Sequence, residues 1–153
     1  MDETLRLKTV ANDEYFAHVK ELLDAGHSVT FVVRGNSMNP FLSDRRDRVC
    51  LVSCPAGRPL RGDFVLAYEA SARRYVLHRV VGREGNGDFL LRGDGNLRAT
   101  ERIAPHDLLG LVSAVERKGR WYPTGSLPWR LYSALWMRLL PLRRWLLAAW
   151  RRL

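Results

Sequence analysis

The chain has 153 residues, 46% hydrophobic and 27% charged, with 25 Lys and Arg against 16 Asp and Glu. That length supports one compact domain with a core and argues against two full domains, and the apolar content excludes a disordered chain. Two cysteines, Cys50 and Cys54, make neither a disulfide scaffold nor a four-ligand zinc site, and their spacing is not a redox motif, so they read as reduced thiols.

No run of residues has the length and apolarity of a transmembrane helix, and the acidic start is expected not to be a signal peptide. All 16 acidic residues lie between Asp2 and Glu116. Nine Arg and Lys and no anion follow, so the net charge of +9 is carried by the last quarter of the chain. A neutral body with a cationic tail implies a separate task for each part.

The first predicted element is a helix over 13–25. Asn12 suits its N-cap, Asp13 and Glu14 favour the positive end of the dipole, and Gly26 closes it. Tyr15, Phe16, Val19, Leu22 and Leu23 form one apolar stripe for packing on the body. From Ser28 the period shortens. Segments 28–34, 48–53, 64–68, 74–81, 88–92 and 108–115 are rich in β-branched and aromatic residues and are separated by Gly, Pro, Asn and Asp turns. Closely spaced strands without helical patterns between them predict a mainly β, antiparallel, barrel-like body over 28–123.

The last element is a basic amphipathic helix over 128–153, divided by Pro141. At helical steps Arg143, Arg144, Arg151 and Arg152 share one side, and Leu142, Trp145, Leu146, Ala149, Trp150 and Leu153 the other. Trp and Leu beside Arg suit an anionic membrane surface, which is the partner expected for this tail, while residues 1–125 form the main domain. The alternative is a helix docked on the body with its Arg side chains reaching outward.

Three segments carry candidate chemistry. Ser37 leaves a strand in Gly35-Asn36-Ser37-Met38-Asn39-Pro40, a turn that exposes its hydroxyl and places its backbone N–H as an oxyanion donor. His78 stands in Leu77-His78-Arg79-Val80-Val81-Gly82, where an imidazole can act as the base that activates such a hydroxyl. A Ser–Lys pair is the rival, but Lys8, Lys20 and Lys118 all lie outside residues 37–96. Asp94, in Gly93-Asp94-Gly95-Asn96, can orient the imidazole. Taken singly, each candidate also fits an ordinary turn or strand residue.

Taken in order, Gly35 to Pro40, Arg61-Gly62-Asp63-Phe64-Val65, His78 to Gly82 and Gly93 to Asn96 resemble the motif boxes of the signal peptidase I superfamily, which includes the LexA-like self-cleaving repressors. His78 stands where the bacterial type carries Lys, so the chain is similar to the Ser-His subclass of endoplasmic-reticulum and archaeal enzymes. The resemblance implies Ser37 as nucleophile, His78 as general base and Asp94 as third member. The family's Ser two residues before the nucleophile is replaced by Gly35, which leaves the Ser37 N–H and Asn36 as the candidate oxyanion donors. Gly95 interrupts the family's Gly-Asp-Asn box, which has further acids downstream, so Glu101 and Asp107 compete with Asp94 for the orienting role.

The resulting expectation is a serine endopeptidase that cuts signal- or leader-type peptides, bound as extended segments, with no metal or organic cofactor. Its place is peripheral to a membrane or cytoplasmic, on the cytoplasmic face by charge, or on the outer face by resemblance. The alternatives are a non-enzymatic β-barrel module that binds peptide or nucleic acid, and a LexA-like regulator. Nucleic acid is the weaker partner, because the strands show no alternation of aromatic with basic residues. The regulator is weakened by the lack of a helix-turn-helix pattern before Ser28.

Overall fold

The computed structural model describes residues 12–35, 37–96 and 99–153. It is mainly antiparallel β, with one helix before the sheet and two after it. Helix α1 (Asn12–Asp24) is closed by the His27 N–H, which donates to the Leu22 carbonyl at 2.9 Å. Its stripe is buried as the spacing requires: Phe16, Val19 and Leu23 are 3%, 1% and 1% exposed. At about 1.5–3 kcal/mol for each fully buried side chain, these three anchor the helix.

The strands are β1 (Val29–Val32), β2 (Arg48–Val52), β3 (Phe64–Glu69), β4 (Arg74–Arg83), β5 (Phe89–Arg92), β6 (Glu101–Ile103), β7 (Leu108–Arg117) and β8 (Arg120–Pro123). Their order is β1-β2-β7-β3-β4-β5-β6, with β8 paired to β7, so the sheet curls without closing into a barrel. Two strands, β6 and β8, were not expected. Glu101-Arg102-Ile103 is three residues long and mostly charged, and only its pairing with β5 makes it a strand. Strand β8 pairs with β7 in a hairpin that turns at Lys118-Gly119.

Both faces of the sheet are apolar. One face packs Phe31, Phe64 and Leu66 against α1, Phe41 and the C-terminal helices. The other gathers Val65, Val80, Leu91, Ile103 and Leu111 where β3 to β7 curl round. Because successive strand residues point to opposite faces, neighbours in the chain serve different layers. That alternation decides the composition of the site.

The tail is α2 (Leu127–Arg138), a single 3-10 turn (Leu140–Leu142) at Pro141, and α3 (Arg143–Arg151). Trp136 and Leu147 join the core that holds α1, so the tail packs on the body. Its partition differs from the helical-wheel expectation: Arg143 faces inward and is 2% exposed, whereas Trp145 is 65% exposed. Arg143 donates to the Asn96 carbonyl at 3.0 Å and lies 5.5 Å from the Trp136 ring centre. Those partners allow a cation on the inner side, and burial pulls its pKa below the usual guanidinium range. Among the described residues no helix is long and apolar enough to cross a membrane.

Candidate active site

Strand β1 ends at Val32, and the chain then turns through Gly35 to Ser37. Gly35 has φ 86°, a region that side chains with a Cβ rarely adopt, and its N–H donates to the Asp44 carboxylate at 2.8 Å. A Cβ there would meet nothing within 4 Å, so conformation rather than close approach calls for glycine. Behind Ser37, Met38, Phe41 and Leu42 are 2%, 2% and 0% exposed and pin the turn to the core. Ser37 itself is half-buried.

His78 lies on β4 and is 4% exposed. Its Nε2 is 3.0 Å from Ser37 Oγ, although 41 positions separate the two residues. Its Nδ1 is 2.9 Å from Glu101 Oε2, and Glu101 is 2% exposed. An ionised carboxylate only accepts hydrogen bonds, so Nδ1 carries the proton and donates it to Glu101. The lone pair of Nε2 then faces the Ser37 hydroxyl, which donates to it. Hydroxyl, imidazole and carboxylate are thereby aligned as a general base needs them.

The third member of this row is Glu101, and Asp94 is elsewhere. Sheet register explains the difference. Val80 pairs with Leu91 and Leu91 with Glu101, so all three share one face, and His78 lies two residues before Val80 on that face. Arg79 pairs with Arg92 on the opposite face, and Asp94, two residues after Arg92, follows its parity. Asp94 accepts hydrogen bonds from Arg79 Nε at 2.8 Å and from Arg79 Nη2 at 2.7 Å, and both residues are fully buried. The guanidinium also donates to the Gly62 carbonyl at 3.0 Å and lies over the rings of Phe64 and Phe41, 4.2 and 4.6 Å from their centres. Asp94 is thus an internal counter-ion that ties its loop to β4.

That loop grips the serine from behind. The Gly95 N–H donates to the Ser37 carbonyl at 2.7 Å. A Cβ on Gly93 would lie 2.3 Å from the same carbonyl oxygen and 3.1 Å from His78 Nε2, so only glycine fits where the loop crosses the Ser–His pair. Arg143 of α3 supports the far end of the loop through Asn96.

Ser37 and His78 open into a cleft of about 250 Å³, lined on one side by Val33, Arg34 and Gly35 and on the other by residues 74–77 of β4. Strand β5 pairs with β4 from Arg79 onward, which leaves the earlier half of β4 bordering the cleft. A larger cavity of about 540 Å³, between α2 and the Arg58 to Phe64 segment, holds neither Ser37 nor His78.

The other candidates fall outside this arrangement. Asp107 sits in the 3-10 turn Pro105–Asp107, and its carboxylate lies 3.6 Å from His106, with no contact to His78. Asn36, the expected second oxyanion donor, lies outside the described residues. Among the described residues no group of three or more His, Cys, Asp and Glu side chains could hold a metal ion. Glu101 carried a weak signal in the sequence, as an acid at an inward position of a short alternating segment that ends in Ile103. Cys50 and Cys54 are both free thiols, half-buried, and burial pushes the Cys54 thiol above its ordinary range. Set beside known proteins, the chain matches no family model and no curated protein.

Proposed function

We propose that the chain is a serine endopeptidase, similar in its motifs to the signal peptidases, with Ser37 as nucleophile, His78 as general base and Glu101 as the acid that orients it. The reading is carried by one observation: the unbroken row of Ser37 Oγ, His78 Nε2 at 3.0 Å, and His78 Nδ1 at 2.9 Å from Glu101. In the proposed reaction Ser37 Oγ adds to the scissile carbonyl carbon while its proton passes to His78 Nε2. The carbonyl electron pair moves to oxygen, where backbone N–H groups at and beside Ser37 would stabilise the oxyanion. Collapse of this intermediate breaks the C–N bond, and the leaving amine takes the proton from Nε2. Water, deprotonated by His78, then cleaves the acyl ester and restores Ser37.

Glu101 holds the imidazole in the required tautomer and balances the imidazolium in each half-reaction. The cleft between residues 33–35 and the first half of β4 has the form of a slot for an extended peptide, whose backbone can pair with a strand edge. Such a substrate would reach Ser37 from the end of β1, itself an edge strand.

The test uses the full chain with a library of unstructured peptides and mass-spectrometric detection of products. Cleavage by the parent chain, and its loss in Ser37→Ala with unchanged circular dichroism and melting, is the expected result. Equal cleavage by Ser37→Ala would overturn the mechanism. Absence of cleavage, together with tight peptide binding that Ser37→Ala leaves intact, would favour a binding module instead.

A further inference from the structure

Helices α2 and α3 each bury one side on the body and leave the other apolar. In α2 the buried side carries Ser133, Trp136 and Met137, while Leu127, Leu131 and Leu135 are 67%, 61% and 55% exposed on the opposite side. In α3 the inner side carries Arg143 and Leu147, and Trp145 is 65% exposed on the outer side. Among the described residues, eight of the eleven exposed large hydrophobic side chains lie at 127–153, so the exposure is concentrated in the tail. Burial of apolar side chains on the body therefore does not account for the tail's hydrophobicity.

We propose that the outer side of α2 and α3 is a docking surface for an anionic lipid bilayer. Its charge identifies the occupant. Arg130, Arg138, Arg144, Arg151 and Arg152 are exposed along these helices, and no acidic residue follows Glu116. A second copy docked face to face would bring this cationic surface against itself, with no carboxylate on it to compensate. A nucleic acid would pair with the Arg side chains but leave the leucines in water. A bilayer of anionic lipid satisfies both chemistries, with phosphates at the guanidinium groups and acyl chains at Leu131 and Leu135. Trp145, with the Arg144 guanidinium 5.0 Å from its ring centre, has the composition of a headgroup-level anchor. The surface differs from the one drawn on a wheel of 142–153: it includes α2 and excludes Arg143, which supports the Asn96 loop from within.

The inference stands apart from the peptidase reading, because its test reads lipid binding alone. The full chain is floated with vesicles of phosphatidylcholine, and with vesicles that also contain phosphatidylglycerol. Binding to the anionic vesicles is expected to exceed binding to the neutral ones by about tenfold or more, and to weaken in high salt. The double variant Leu131→Glu/Trp145→Glu changes two exposed side chains, so its melting should be unaltered, and its binding should fall at least about tenfold. Leu60→Glu, at a leucine 54% exposed outside the tail, should bind as the parent does. Equal binding by the double variant, or no binding to anionic vesicles, overturns the proposal. So does a dimer in solution that the same two substitutions dissociate, since the surface would then belong to a second copy.

Discussion

Replacing Glu101 with Gln keeps the shape of the side chain and removes only its charge, so it isolates what the acid contributes to His78. The carboxylate oxygen is 2.9 Å from Nδ1, and both side chains are almost wholly buried. With the charges spread over both groups, an effective dielectric of about 20 puts the attraction between imidazolium and carboxylate at roughly 4–6 kcal/mol. Losing it when the imidazolium forms should slow acylation by about 10³ to 10⁴. A Gln amide turned the other way would donate to Nδ1 and move the imidazole proton to Nε2, which removes the acceptor of the Ser37 hydroxyl and leads to a similar loss. The assay is single-turnover cleavage of a peptide identified in the library screen, with melting measured in parallel. A proton spectrum supplies a readout independent of substrate: the low-field Nδ1–H signal of His78 should disappear or move in Glu101→Gln and persist in Asp94→Asn. A Glu101→Gln rate within tenfold of the parent, with an unchanged imidazole signal, would refute the assignment. If Asp94→Asn alone abolished the rate with no change in melting, the orienting role would return to Asp94.

Three further outcomes follow from the same geometry. Gly93→Ala places a Cβ against the Ser37 carbonyl and should cost most of the activity and about 1–3 kcal/mol of stability, read by denaturant titration; a silent substitution would mean that the loop does not brace the serine. Arg79→Met leaves Asp94 buried without its counter-ion and should lower stability by about 3–5 kcal/mol, while the double variant Arg79→Met/Asp94→Asn recovers part of the loss; additive losses would show that the two are not coupled. Asp47 concerns pH. Burial pushes its carboxyl up, but Arg46, the Ser43 N–H and Arg117 together outweigh that effect and hold it below the usual carboxylate range. A lowered folded-state value contributes stability that is present above the unfolded value and lost as pH falls through the folded one. Acid unfolding of Asp47→Asn should therefore show a shallower fall in stability below the ordinary carboxylate range than the parent, and identical slopes would contradict it.

Much of the architecture is legible without coordinates. The stripe of Phe16, Val19 and Leu23 predicts α1, and the alternation and turn residues from Ser28 onward predict six of the eight strands. Pro141 announces the break between α2 and α3. The two missed strands are too short, at three and four residues, for an alternation to show. Glu101-Arg102-Ile103 becomes a strand through the register offered by β5, and Arg120–Pro123 through that of β7. The tail was misread in one respect: a helical wheel sorts residues by polarity, and it cannot know that Asn96 and Trp136 offer a buried guanidinium its partners.

The candidate site divides in the same way. Ser37 and His78 stand out in the chain because a serine in a Gly/Asn/Pro turn and a histidine amid strand residues are local features, set by nearby side chains and backbone preferences. Their meeting at 3.0 Å, and the choice of Glu101 over Asp94 as the acid beside them, belongs to the tertiary structure alone. Side-chain direction in a sheet has a period of two, so the face that an acid joins depends on the register between strands distant in sequence. Register places Asp94 with Arg79 and Glu101 with His78, and composition contains no trace of that decision.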